Sequence, residues 1–243
     1  MYQTLTKADY KKMLGLANDY QIEALLSCGH YDLAKQISRL ETSLTNLGQN
    51  YGLKKLADGF LQDIVEFDIN NKKYWFAKVY GGVTLSEYLH LACLFGSQKN
   101  IHIGSCGGLN PEMNSLDFLI PNFSFGNESS TRLYDRQNSS HIHYSDEKLN
   151  QQLLEKIGND KVWQGPMMTC GAMLAESKED VLQWSADGYF GVEMETSTVF
   201  AVSHFFKVPS SSLVYVSDNL IKGQMVGDES HNLEKEVRYQ KAQ

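Results

Sequence analysis

Residues 84–108 read TLSEYLHLACLFGSQKNIHIGSCGG, and this stretch decides the fold class. Thr84 to Glu87 fits a T-x-x-E capping box, which predicts a helix over 85–95. Asn100 to Ile103 is a short β-rich run that predicts a strand leading into the glycine-rich turn Gly104-Ser105-Cys106-Gly107-Gly108. Helix, strand and glycine turn in succession make one unit of an alternating α/β chain.

The alternation extends in both directions. Upstream, FLQDIVEFDI and KKYWFAKVY predict two strands joined by the polar turn Asn70-Asn71-Lys72. Downstream, DFLIPN predicts a strand ended by Pro121, and Ser145 caps a helix that stops at Gly158. VWQGPMMTCG reads as strand, KEDVLQWSAD as helix, GVEME as a strand-like turn, TSTVFAVSHFF as an apolar helix and SSSLVYVSD as a buried central strand. This order implies an α/β fold, a three-layer sandwich around a central mixed sheet, over residues 61–243. Residues 1–60 read as helical. Leu33, Ile37, Leu40, Leu44 and Leu47 form one stripe at helical spacing, and Gly48 follows as a stop. This extension is either a helical cap on the sandwich or a small appended subdomain. The tail from Asp228, DESHNLEKEVRYQKAQ, reads as helical and charged.

Composition narrows the function. The 243 residues carry 22 Lys and Arg against 29 Asp and Glu, a net charge of −7 that disfavours binding to a phosphate backbone. No run of 18 apolar residues occurs, and the N-terminus lacks an apolar signal core, so no membrane partner and a cytoplasmic location are expected. The four cysteines, Cys28, Cys93, Cys106 and Cys170, show no CxxC or zinc spacing and read as reduced thiols. The His141–His143 pair fits a loop or substrate contact better than a metal site, so no metal is expected.

Three stretches carry candidate chemistry, each with a plainer alternative. Gly104 to Gly108 is a backbone cradle for an anion, with the Ser105 hydroxyl as a further donor, or a turn without a ligand. In Gly191-Val192-Glu193-Met194-Glu195, one carboxylate can hold the vicinal hydroxyls of a sugar, or the acids simply favour a helix N-terminus. In Ser217-Asp218-Asn219, an acid at the end of a buried strand suits proton transfer, or caps the next element.

In this order and spacing the three stretches resemble the nucleoside phosphorylase and nucleosidase superfamily, which includes purine nucleoside phosphorylases of the hexameric bacterial type and methylthioadenosine nucleosidases. The resemblance runs from about Lys78 to Leu220, through GSCGGLNPEMNSLDFLIPN, GVEMETSTVFAV and VYVSDN. It implies that Asp218 protonates or hydrogen-bonds N7 of a purine leaving group. It also implies that Glu195 binds the 2′- and 3′-hydroxyls of the ribose, with Met194 beneath the sugar and Glu193 near it. Val192 and Ser217 would line the base pocket, and Gly104, Ser105 and His102 the phosphate side. Phosphate is then a co-substrate, no metal or organic cofactor is needed, and a homo-oligomer is expected.

The chain also departs from the family pattern. The G-D-P-x-R segment of the phosphorylases is missing, and His102 occupies the place of their arginine two positions before the glycine-serine turn. Arg39 or Arg132 is an alternative anion partner, and Met173 and Leu174 stand where aromatic residues usually stack on the base. Three readings follow: phosphorolysis with a rewired anion site, hydrolysis with Glu23, Glu41 or Glu66 activating water, and nucleoside binding without turnover.

Overall fold

The computed structural model describes residues 2–29, 33–56, 59–158, 160–225 and 228. The four parallel strands at its centre are β1 (Ala24–Gly29), β4 (Lys72–Val79), β5 (Asn100–Gly108) and β10 (Ser210–Asn219), in the order β4-β1-β5-β10. On the β4 side, β3 (Ile64–Ile69) and β2 (Tyr51–Lys55) add antiparallel. The β3–β4 hairpin turns on Asn70 and Asn71, both in the left-handed region at φ 52° and 63°, as the polar turn predicts.

On the other side the strands curl into a ring. β10 pairs antiparallel with β6 (Phe118–Phe125), β6 parallel with β8 (Val162–Thr169), β8 parallel with β9 (Gly191–Glu193), and β9 antiparallel with β5. A short strand, β7 (Ile142–Tyr144), adds to β6. Cys106, Met113, Leu119, Met167, Val214 and Val216 form one buried cluster with these strands. Gly191 permits this packing, because a Cβ there would lie 3.0 Å from Cys106 Sγ and 3.2 Å from Leu119 Cδ2.

Helices cover both faces of the sheet. α3 (Gly82–Leu94) and α7 (Thr196–Phe205) bury Leu85, Leu89, Val199 and Phe200 against Leu25, Trp75 and Ala77. Trp75 and Phe95 meet edge to face at 5.7 Å, and burying such large side chains contributes about 1.5–3 kcal/mol each. On the opposite face, α2 (Leu33–Asn46) lays Leu40 and Leu44 over Cys28, Phe67 and Phe76. The remaining helices are α1 (Lys7–Met13), α4 (Ser129–Tyr134), α5 (Glu147–Ile157) and α6 (Lys178–Ala186). No helix among the described residues is long and apolar enough to cross a membrane.

Three expectations need correction. Residues 1–60 are not wholly helical, since β1 lies between β4 and β5 and β2 extends the far edge. ALLSCG is a short apolar run, too brief to separate strand from helix by periodicity. Pro121 does not end its strand. β6 continues to Phe125 across a register shift between Pro121 and Ser124, where a missing N–H is tolerated. The Gly104–Gly108 stretch is not a turn but the last half of β5. The expected C-terminal helix lies outside the described residues.

Candidate active site

The parallel strands end together at Gly29, Val79, Gly108 and Asn219, the carboxyl edge where ligands bind in such sheets. β5 is paired along one side by β10. Its other side is covered by β1 only as far as Ile103, and β9 takes over at Gly107. Among the described residues no strand pairs with Gly104, Ser105 and Cys106 on that side, and the Ser105 side chain is exposed. The glycines beyond this gap serve close packing. A Cβ on Gly107 would lie 2.8 Å from Leu220 Cδ1, and one on Gly108 3.1 Å from Asn219 Nδ2. Asn219 locks this end, donating to Asn110 O and Met113 O at 2.9 Å each and accepting from the N–H groups of Ile221 and Lys222.

Glu195 faces the end of β1. A Cβ on Gly29 would lie 3.1 Å from its Oε2, a close approach that would press on that carboxylate. The Gly81 N–H donates to Glu195 Oε1 at 2.5 Å, and Oε2 stands 3.7 Å from His102 Nε2. Gly81 is the N-cap of α3, and no side chain caps that helix. The expected capping box at Thr84 is therefore not formed, because α3 begins at Gly82. Burial pushes the Glu195 carboxyl up to about 8, and Glu193 and Glu128 add like-charge repulsion. Burial holds His102 down to about 3, so its ring is neutral, with Nδ1 3.0 Å from Ser27 Oγ.

Glu193 is committed to the protein. Its Oε2 accepts the N–H groups of Glu195 and Thr196 at 2.7 and 2.8 Å, and its Oε1 accepts Thr169 Oγ1 at 2.7 Å. A carboxylate here suits the positive N-terminus of α7, as the plainer reading of this acid pair expects. Between the two acids, Met194 is half-buried, and Val192 is buried against Leu109 and Met168.

Asp218 reaches the same region from β10. The β10–β5 register shifts between Val216 and Asp218, a bulge of the kind that re-aims side chains beside active sites. Asp218 then pairs with Gly107, whose other neighbour is Val192 of β9. Neighbouring strands lie about 4.8 Å apart, so Asp218 and the GVEME segment flank one glycine. The buried Cys106 thiol senses both sides: burial raises it well above its ordinary value, and Glu193 and Asp218 raise it further. The Ser217 hydroxyl donates to Asp218 Oδ1 and lies 3.2 Å from Cys106 O. Burial also raises Glu176 at this edge, with Asp218 a lesser contributor.

Glu23, Glu41 and Glu66 do not join the group. Glu23 pairs with Lys72 beyond the opposite end of β1, Glu66 binds Tyr20 and Lys73, and Glu41 is exposed on α2. Arg132 lies with Arg136 in an open surface groove. Arg39 is buried and acts on Cys28, a thiol that also senses Glu195. Gly29, Ser27, Gly81, Thr169 and Glu128 belong to the site's surroundings and escape sequence reading, because only the tertiary fold brings them to Glu195 and Glu193. One signal was available: the paired glycines Gly81-Gly82 immediately after a strand. His102, Glu193 and Glu195 offer donor atoms within 4.8 Å of one another, but both Glu193 oxygens already accept protein hydrogen bonds.

Residues 83–243 match the family model described as the phosphorylase superfamily. The chain belongs to this superfamily of nucleoside phosphorylases and nucleosidases. It is 25% identical over 197 residues to a DeoD-type purine nucleoside phosphorylase of Clostridium beijerinckii, covering 74% of this chain and 82% of that one. It is 24% identical over 140 residues to a guanosine phosphorylase of Halorubrum lacusprofundi, 56% of each chain. The fold matches a Vibrio fischeri uridine phosphorylase with a TM-score of 0.75 at 15% identity, covering 96% and 93% of the two chains. It also matches a Helicobacter pylori MTAN mutant with 5′-methylthioadenosine in its active site, with a TM-score of 0.67 at 19% identity over 91% and 93%. These superfamily likenesses agree with the mixed α/β architecture read from the sequence.

Proposed function

We propose that this protein cleaves the N-glycosidic bond of a purine ribonucleoside, with phosphate as the acceptor. The supporting observation is the register around Gly107, which sets Asp218 on one side and the segment leading to Glu195 on the other. Breaking the bond between C1′ and the base nitrogen leaves the electron pair on the base and positive charge on the ribose. Asp218 delivers a proton to N7 of the departing purine, a step worth about 10²–10⁴-fold. Ionised Glu195 accepts the 2′- and 3′-hydroxyls and fixes the sugar while charge develops. Met194 lies under the ribose, Glu193 holds the turn that presents Glu195, and Val192 and Ser217 border the base. A phosphate oxygen then bonds to C1′ from the side of Gly104, Ser105 and His102. The purine reading draws support from the acid at Asp218 and from the relatives named as purine nucleoside phosphorylases. No metal or organic cofactor enters this scheme.

A second reading, hydrolysis by water, is favoured by one observation. His102 is neutral and stands beside buried carboxylates, surroundings that oppose a phosphate dianion. The two readings separate on incubation with inosine, adenosine and methylthioadenosine, with and without phosphate. Base and ribose 1-phosphate formed only with phosphate establish phosphorolysis, and base released equally without phosphate establishes hydrolysis. Protection against melting without any base release reduces the protein to a nucleoside binder.

A further inference from the structure

Glu128 stands at the N-cap position of α4, yet its side chain caps nothing there. Asp, Asn or Ser is the usual residue at such a position, because the short side chain reaches the exposed N–H groups. The Glu128 carboxyl turns instead towards the start of α3. Its Oε2 lies 2.6 Å from where a Cβ on Gly82 would be, so the bare glycine makes room for it. The preceding residue, Gly81, gives its N–H to Glu195. The two consecutive glycines therefore separate two carboxyl groups at the N-terminus of one helix. Glu128 Oε1 is buried, and the Ser197 hydroxyl is the hydrogen-bonding neighbour of this carboxyl. Glu193, by contrast, is held through both oxygens by three hydrogen bonds and has no freedom to respond.

We propose that Glu128 is a positioning residue for the sugar clamp, acting on Glu195 across the Gly81-Gly82 turn. This inference deepens the reading of Glu195 as the ribose-binding carboxylate and rests on it. The two groups share one cost: Glu195 is buried, Glu128 is half-buried with its Oε1 shielded, and the charge of either opposes the charge of the other. Burial raises Glu128 to about 7, and the like charge of Glu193 adds to this. The groups around Glu195 are Glu193, Glu128, neutral His102 and the Cys28 thiol, and those around Glu128 are Glu193, Glu195 and the Cys170 thiol. None of these is a cation. Loss of the Glu128 charge therefore eases ionisation of Glu195, the form that accepts the sugar hydroxyls.

The test is the pair Glu128→Gln and Glu128→Asp in the full-length chain. Glu128→Gln keeps the shape and removes the charge. The pH at which kcat/KM for purine release reaches half its maximum should fall by about one unit, the scale of a like charge nearby in a protein interior. Glu128→Asp should return the midpoint towards that of the parent. Activity that falls in Glu128→Gln with an unmoved midpoint would overturn the proposal, leaving Glu128 a structural residue. A thermal-melt cycle with Glu195→Gln and the double variant at pH 6 and pH 9 needs no turnover. The effects should be non-additive at pH 9, and additive effects there would overturn the proposal just as firmly. A parent protein that releases no base while the melts remain coupled would remove the reading of Glu195 as a ribose clamp, and not the coupling.

Discussion

Glu195 Oε2 stands 3.7 Å from His102 Nε2, both side chains are buried, and the ring's other nitrogen lies 3.0 Å from Ser27 Oγ. The contact looks like an ion pair, but burial drives the imidazole neutral and the carboxyl towards its protonated form. Its proton balance is therefore a measurable property of the site.

Glu195 binds its proton more tightly in the folded chain, at about 8 against an ordinary 4.5. The folded state then holds more protons than the unfolded state between about pH 4.5 and 8, so this group's contribution to stability falls as pH rises through that window. Glu195→Gln should flatten that part of the stability curve, as followed by chemical denaturation at half-unit pH steps. A nucleoside gripped by the ionised carboxylate should release a proton on binding near pH 7. Calorimetry in buffers of different ionisation enthalpy reads that proton, and the Glu195→Gln variant should not release it.

His102 should not titrate between pH 5 and 8, because desolvation holds it at about 3. The ring C–H resonance assigned through His102→Gln should stay flat over that range. A midpoint near 6.5 would show a solvated imidazole able to carry charge towards an anion.

Gly191→Ala puts a methyl 3.0 Å from Cys106 Sγ and 3.3 Å from Met167 Sδ, inside the packed strand ring. Overpacking of this kind costs about 1–3 kcal/mol. The melting temperature should drop by several degrees, and base release should fall with it because β9 leads to Glu195. Gly171→Ala, with nothing within 4 Å of the new carbon, is the control and should melt like the parent.

Asn219→Ala removes the donor shared by Asn110 O and Met113 O and the acceptor for two N–H groups of the following turn. Asn110 O keeps the Met113 N–H and Met113 O keeps Lys222 Nζ, so each lost hydrogen bond costs about 0.5–1.5 kcal/mol. Denaturant melts should show the loss, and hydrogen exchange should quicken at Ile221 and Lys222.

Much of this arrangement is legible in the residues themselves. The apolar runs of α7 and β10 are long enough to read as buried elements, and the Asn70-Asn71 hairpin and the Gly158 stop follow from turn and cap chemistry. β1 escapes because its six residues, ALLSCG, precede a helical stripe and carry no period of their own. The glycines of β5 mislead because glycine signals a turn locally. Here its value is distant, making room for Leu220 and Asn219 more than one hundred positions away. Ser105, Glu195 and Asp218 stand out in the chain as polar groups at the ends of apolar runs. Glu128 and Gly81 do not, because their meaning depends on which carboxylate the fold brings near them.

Single-turnover release of base by Asp218→Asn beside the parent tests most directly whether Asp218 is the proton donor to a departing purine. The rate in the variant should be lower by about two to four powers of ten, with nucleoside binding retained. An unchanged rate in that variant would contradict that role.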